Sequence, residues 1–128
     1  MKVLLDTHAF LALMIDAPNL SPKARTIFLD SDSTLYLSMA SVWEMAIKSG
    51  LNKLNLPLPV DQYITSRTQT HGITLLDITI EHMAAVENLP HHHKDPFDRL
   101  LISQCLSDKL PIMTADRMFA AYPIQTVW

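Results

Sequence analysis

The sequence predicts an α/β fold with a mainly parallel central sheet flanked by helices on both faces. Two observations carry that expectation. Short apolar runs rich in branched residues (KVLLD, TLYLS, ITLLD, LPIMTAD, IQTVW) alternate along the chain with segments of helical pattern. Several of these runs also finish on or just before an acid, at the end of the strand where open α/β sheets bind their ligands.

Each element has its own warrant. KVLLD is a fully apolar run closed by Asp6, as a strand buried on both faces should be. HAFLALMID reads as the following helix. LSPKARTIFLDSD gives a second helix, with Ser21 as N-cap and Pro22 at the first helical position. TLYLS is the second strand, and MASVWEMAIKSG a helix expected to close at Gly50 in the left-handed conformation. After the Pro-containing LNKLNLPLPV, the segment VDQYITSRTQTHG reads as an amphipathic helix ending at Gly72. ITLLD is the third strand, followed by a helix through EHMAAVENL and a polar HHHKD loop. DPFDRLLISQCLSDK opens with Asp95 before Pro96, a strong helix start. LPIMTAD, a short helix over DRMFAAY, and the strand IQTVW complete the pattern.

Composition bounds the function. With 128 residues, 48% apolar and 18% charged, the chain is expected to form one domain over residues 1–128 with a substantial core, which excludes a disordered polypeptide. No apolar run reaches the length of a membrane span, and the first residues enter a strand rather than a signal peptide. The single Cys105 cannot form an internal disulfide, so a cytoplasmic location is expected, with the thiol as a small buried side chain on a helix. A net charge of -3 argues against a broad electrostatic grip on nucleic acid. Charge placement says more: Lys48, Lys94, Arg99 and Arg117 each stand within a few residues of a candidate acid. Such a rim suits a polyanionic substrate, although solvated surface pairs account for it equally.

Four acids occupy one type of position. Asp6 ends the first strand, Glu44 lies in the first turns of the helix after the second, Asp98 lies in the first turn of the helix begun at Asp95, and Asp116 follows the strand PIMT. Singly, Asp6 and Asp116 would serve as helix caps worth about 1 kcal/mol each. Glu44 with Lys48 would be an i,i+4 pair, and Asp95 and Asp98 would suit a helix dipole. Together they indicate a site, because caps require neither a helix-borne Glu beside Trp43 nor a second acid at Asp98. Asp77 is the control: it also ends an apolar run, and its reading is a cap or turn residue. Converging carboxylates repel unless a cation joins them. Oxygen donors without cysteine point to Mg²⁺ or Mn²⁺, ions suited to phosphodiester cleavage. His91, His92 and His93 are expected to form a polar loop, since adjacent residues rarely aim three rings at one ion. His8 follows the first acid closely and suits either a carboxylate or substrate contact or a local structural role.

LLDTHAF, SVWEMAIK, HHHKDPFDRLLISQ and PIMTADRMF, in this order and over this length, resemble the PIN-domain ribonucleases of the VapC toxin type. The resemblance covers essentially the whole chain and implies a PIN-like fold. It also implies a Mg²⁺- or Mn²⁺-dependent endoribonuclease, the toxin of a type II toxin–antitoxin system inhibited by a cognate antitoxin. Its four acids fall on Asp6, Glu44, Asp98 and Asp116, as metal ligands and catalytic groups. Asp95 takes a supporting role as the N-cap, Thr114 contributes a hydroxyl nearby, and Lys48, Arg99 and Arg117 are secondary candidates for contacts to substrate or carboxylates. A homodimer, and transfer RNA as the substrate, follow from the resemblance alone. ALM follows the first motif where many relatives carry a nearby Trp, a departure that concerns packing or partner contacts. Two alternatives stand beside it. A haloacid-dehalogenase-like phosphatase would need a second Asp where this chain has His8. A non-catalytic PIN-like module binding protein or RNA would have no use for four intact acids.

Overall fold

A computed structural model describes residues 1–128. The order of elements is β1 (Lys2–Leu5), α1 (Thr7–Met14), α2 (Pro22–Leu29), β2 (Thr34–Ser38), α3 (Met39–Gly50), α4 (Val60–His71), β3 (Thr74–Leu76), α5 (Ile80–Ala85), α6 (Pro96–Asp108), β4 (Ile112–Met113) and β5 (Thr126–Val127). Short 3-10 turns cover Val86–Asn88 and Arg117–Ala121.

The strands form one five-stranded sheet in the order β3-β2-β1-β4-β5, and every pairing is parallel. The chain runs from β1 outward through β2 to β3, then returns to place β4 on the other side of β1. That reversal makes the β1/β4 boundary the switch point, where diverging connections leave a crevice at the strand carboxyl ends. Pairing of Leu5 with Met113 and the bond from Asp6 N–H to the Met113 carbonyl (3.1 Å) set the two strand ends side by side.

Side-chain alternation sends each strand into two cores. Val3, Leu5, Leu35, Leu37 and Met113 pack with Phe10, Leu13, Met45, Tyr63 and Ile64 from α1, α3 and α4 on one face. Leu4 and Ile112 pack on the other face with Leu101, Ile102 and Cys105 from α6 and with Phe119 and Tyr122. Cys105 is buried, and no helix is long and apolar enough to cross a membrane.

Ser21 caps α2 through Ala24 N–H at 3.0 Å, and Gly72 closes α4 at φ 64. The end of α3 differs from expectation. Gly50 remains inside the helix and Asn52 adopts the left-handed conformation at φ 57. Asparagine tolerates that region, and the position is set by Lys53 and Leu54, whose N–H groups both return to the Lys48 carbonyl. The expected helix over EHMAAVENL is also shorter. It begins after Thr79, which caps it reciprocally with His82, and tightens into the 3-10 turn Val86–Asn88, where the Val86 and Leu89 carbonyls accept from Arg99.

Candidate active site

The first acid is placed by the end of β1. Asp6 is buried, and its Oδ1 accepts the Ala9 N–H at 2.6 Å, capping α1. The capping role expected of this strand-end acid is therefore present. Burial pushes the Asp6 carboxyl above its usual value and the Asp116 charge adds to this, against the lowering effect of the Thr114 hydroxyl and the Ala9 N–H. Thr114, at the end of β4, also accepts the Asp116 N–H at 3.0 Å. One hydroxyl thus ties together the acids at the ends of β1 and β4.

Glu44 is brought in by α3 and is almost completely buried. Its Oε1 lies 2.7 Å from Thr7 Oγ1, and its Oε2 lies 2.6 Å from Lys48 Nζ. Lys48 holds its proton more firmly than an isolated lysine, first through its bond to Glu44, with the charges of Glu44, Asp95 and Asp98 adding to the effect. Thr7, two residues beyond the strand, had no signal in the sequence that distinguished it from an ordinary helix-start residue.

The start of α6 supplies the third acid. Asp95 Oδ1 accepts the Asp98 N–H at 3.0 Å, which is the capping role expected of it. The Asp98 carboxyl is pushed up to about 7, mainly by burial and then by the charges of Asp95, Glu44 and Asp6, with His93 acting in the opposite sense. Asp116 lies below its usual value. The upward push of burial is outweighed by its bonds to Met118 N–H and to His93.

His93, expected to belong only to a polar loop, reaches two of the acids. Its Nε2 lies 2.9 Å from Asp116 Oδ2 and 3.2 Å from Asp98 Oδ2. The donor atoms of His93, Asp98 and Asp116 all fall within 4.8 Å of one another. Asp6 and Glu44 flank this trio, near enough for their charges to act on Asp98. The three histidines diverge, as adjacent residues should: His92 packs edge-on against Tyr122 and His91 is exposed. A usable signal was the spacing of His93 two residues before the cap Asp95, which lets the ring bond locally.

Arg99 requires a correction. Expected as a contact to substrate or carboxylates, it is buried, and its guanidinium serves the backbone. Nη1 donates to the carbonyls of Pro90 (2.9 Å) and His93 (3.1 Å), and Nη2 to those of Leu89 (3.0 Å) and Val86 (3.4 Å). The planar fork of an arginine suits this use, and it fixes the loop that presents His93. Arg117 and Lys94 are exposed, and His8 is exposed beside Asp6 and Asp116. Asp77 stands apart, its backbone carbonyl accepting from Gln104. Thr79, not Asp77, caps the next helix.

The donor set fits a divalent cation. Carboxylates dominate it, no thiol is near, and the raised value of Asp98 reflects burial and charge crowding that a cation would relieve. A family model for the PIN domain matches residues 3–125. The chain belongs to the PIN-domain family. Over 77 residues it is 35% identical to Ribonuclease VapC16 of Mycobacterium tuberculosis, a match spanning 60% of this chain and 52% of that protein, or about half its length. Among solved structures, VapBC2 from Rickettsia felis bound to a promoter DNA fragment matches with a TM-score of 0.73 at 13% identity, over 99% of this chain and 98% of that one. DNA-bound VapBC from Salmonella typhimurium matches with a TM-score of 0.66 at 16% identity, over 99% and 97%. At these identities the structures show the PIN fold alone.

Proposed function

We propose that this PIN domain is a Mg²⁺- or Mn²⁺-dependent endoribonuclease, the toxin of a type II toxin–antitoxin pair. The observation that carries this reading is the cluster of Asp98 and Asp116, whose donor atoms lie with that of His93 within 4.8 Å of one another, beside the charges of Asp6 and Glu44 at the switch point of the sheet. These four side chains would hold the ion, which supplies positive charge to a scissile phosphate and to the attacking water. Thr114 orients Asp6 and Asp116, Thr7 and Lys48 orient Glu44, and Asp95 fixes the turn that carries Asp98. In-line attack by water on phosphorus breaks one P–O bond, leaving a phosphate on one fragment and a hydroxyl on the other.

RNA is the favoured substrate because an open cleft continues from the acids. It has a volume of about 310 Å³ and is lined by Asp6, His8, Asn19, Asp116 and Trp128. An aromatic ring, an imidazole and an amide beside a phosphate site are the groups that stack on and hydrogen-bond an unpaired base. Transfer RNA, a homodimer and a cytoplasmic location belong to the same reading through family resemblance.

The antitoxin has a surface to cover. Met39, Trp43 and Ile47 repeat every fourth residue along α3, the row continues to Leu51, and these side chains are 37%, 60%, 38% and 58% exposed. The row passes beside Glu44 and Lys48. A partner segment lying on it could extend a basic side chain to the acids and displace the ion.

The test is cleavage of a mixed RNA pool by the purified chain, with and without Mg²⁺ or Mn²⁺, beside an Asp6→Asn/Asp98→Asn double variant. Cation-dependent cleavage lost in the variant supports the reading and supplies products for mapping the target. Measurable cation binding without any cleavage would instead favour a non-catalytic binding module.

A further inference from the structure

Two histidines of this chain share one hydrogen-bonding device. His82 accepts the Thr79 N–H at Nδ1 (3.1 Å) and turns Nε2 toward both oxygens of Asp108 (3.1 and 3.2 Å), joining α5 to α6. His93 accepts the Asp95 N–H at Nδ1 (3.2 Å) and turns Nε2 toward Asp116 and Asp98. An N–H group facing Nδ1 requires its lone pair, which leaves the proton of the neutral ring on Nε2.

The His93 ring is also fixed in place. Its backbone N–H donates to Tyr122 Oη (2.9 Å), its carbonyl accepts from Arg99, and the ring packs edge-on against Phe119 with centroids 5.4 Å apart. Only 12% of the side chain is exposed.

We propose that His93 is a positioning residue of the carboxylate centre, whose Nε2–H bonds Asp116 Oδ2 and stands beside Asp98 Oδ2, holding the two acids for a divalent cation without itself ligating the ion. This rests on the reading of the acids as a cation site. Ligation through Nε2 would move the ring proton to Nδ1, where it would face the Asp95 N–H and set two donors against each other. A fixed donor behind metal-binding carboxylates orients them and limits the spread of distances between their oxygens.

The experiment combines nitrogen-15 NMR of the histidine rings, on the full chain during a Mg²⁺ titration, with Mg²⁺ calorimetry and RNA cleavage by His93→Ala, His93→Gln and His93→Asn. The Nε2–H tautomer should be present before Mg²⁺ is added and persist at saturation. His93→Ala should weaken Mg²⁺ binding by about 10- to 100-fold. Glutamine, whose amide N–H reaches the Nε2 position, should restore most of that loss, whereas the shorter asparagine should not. An Nδ1–H tautomer, loss of the Nε2 proton on Mg²⁺ binding, or unchanged Mg²⁺ affinity in His93→Ala would each overturn the proposal. If these readouts hold while the wild-type chain cleaves no RNA, the ribonuclease reading fails and the role of His93 stands. If the wild-type chain binds no Mg²⁺, both fall.

Discussion

Replacing Asp98 by asparagine should stabilise the cation-free protein in alkaline solution while abolishing cation-dependent cleavage. In the folded chain the Asp98 carboxyl is pushed from 3.8 to about 7, first by burial and then by Asp95, Glu44 and Asp6, with His93 opposing. The unfolded chain has the ordinary value. Below pH about 4 both states are protonated there, and the group has no differential effect. As pH rises toward 7 the unfolded chain loses the proton that the folded chain retains, so stability falls through this window and levels off above it. A shift of about three pH units, at about 1.4 kcal/mol per unit, amounts to about 4 kcal/mol, and partial solvent screening reduces it to about 2 kcal/mol. Asparagine is nearly the same shape as aspartate, so the substitution removes charge with little change in packing. In excess chelator the variant should therefore exceed wild type by about 2 kcal/mol at pH 8, or about 6–10 °C in Tm. At pH 4 the difference should nearly vanish. Thermal and denaturant unfolding at the two pH values measure it. A variant less stable than wild type at pH 8, or a difference independent of pH, would show that Asp98 is a structural hydrogen-bond partner and refute the reasoning.

Two other predictions follow from single observations. Arg99→Lys should cost about 2–4 kcal/mol in denaturant unfolding, because an ammonium cannot serve the four carbonyls that the guanidinium reaches; unchanged stability with weakened RNA binding would return Arg99 to a substrate role. Leu51→Asp, on the exposed row that begins on α3, should weaken antitoxin binding at least about tenfold by calorimetry while RNA cleavage by the free protein stays as in wild type; unchanged affinity would place the antitoxin elsewhere.

The helices with explicit start signals were legible. Ser21-Pro22 and Asp95-Pro96 each fix φ at the first helical position and supply a side-chain acceptor, so the backbone responds to residues adjacent in sequence. Where termination depends on something farther away, no local residue signals it. Gly50 has the permissive residue type, but the chain turns at Asn52 because both following N–H groups must return to Lys48. The end of the EHMAAVENL helix likewise depends on Arg99, ten or more residues onward.

From its sequence alone this chain declared a parallel α/β sheet and the acids at its strand ends, since hydrophobic period and capping chemistry are local properties of the backbone. It did not declare the directions of side chains carried by loops. Arg99 reads as a free cation and His93 as loop polarity until α6, the 3-10 turn Arg117–Ala121 and the 86–93 segment are packed together. Only that packing turns the guanidinium inward to four carbonyls and sets the His93 ring between Asp98 and Asp116. The contact of His93 with a residue 23 positions away has no period to betray it. It exists because the parallel sheet brings the end of β4 beside the start of α6.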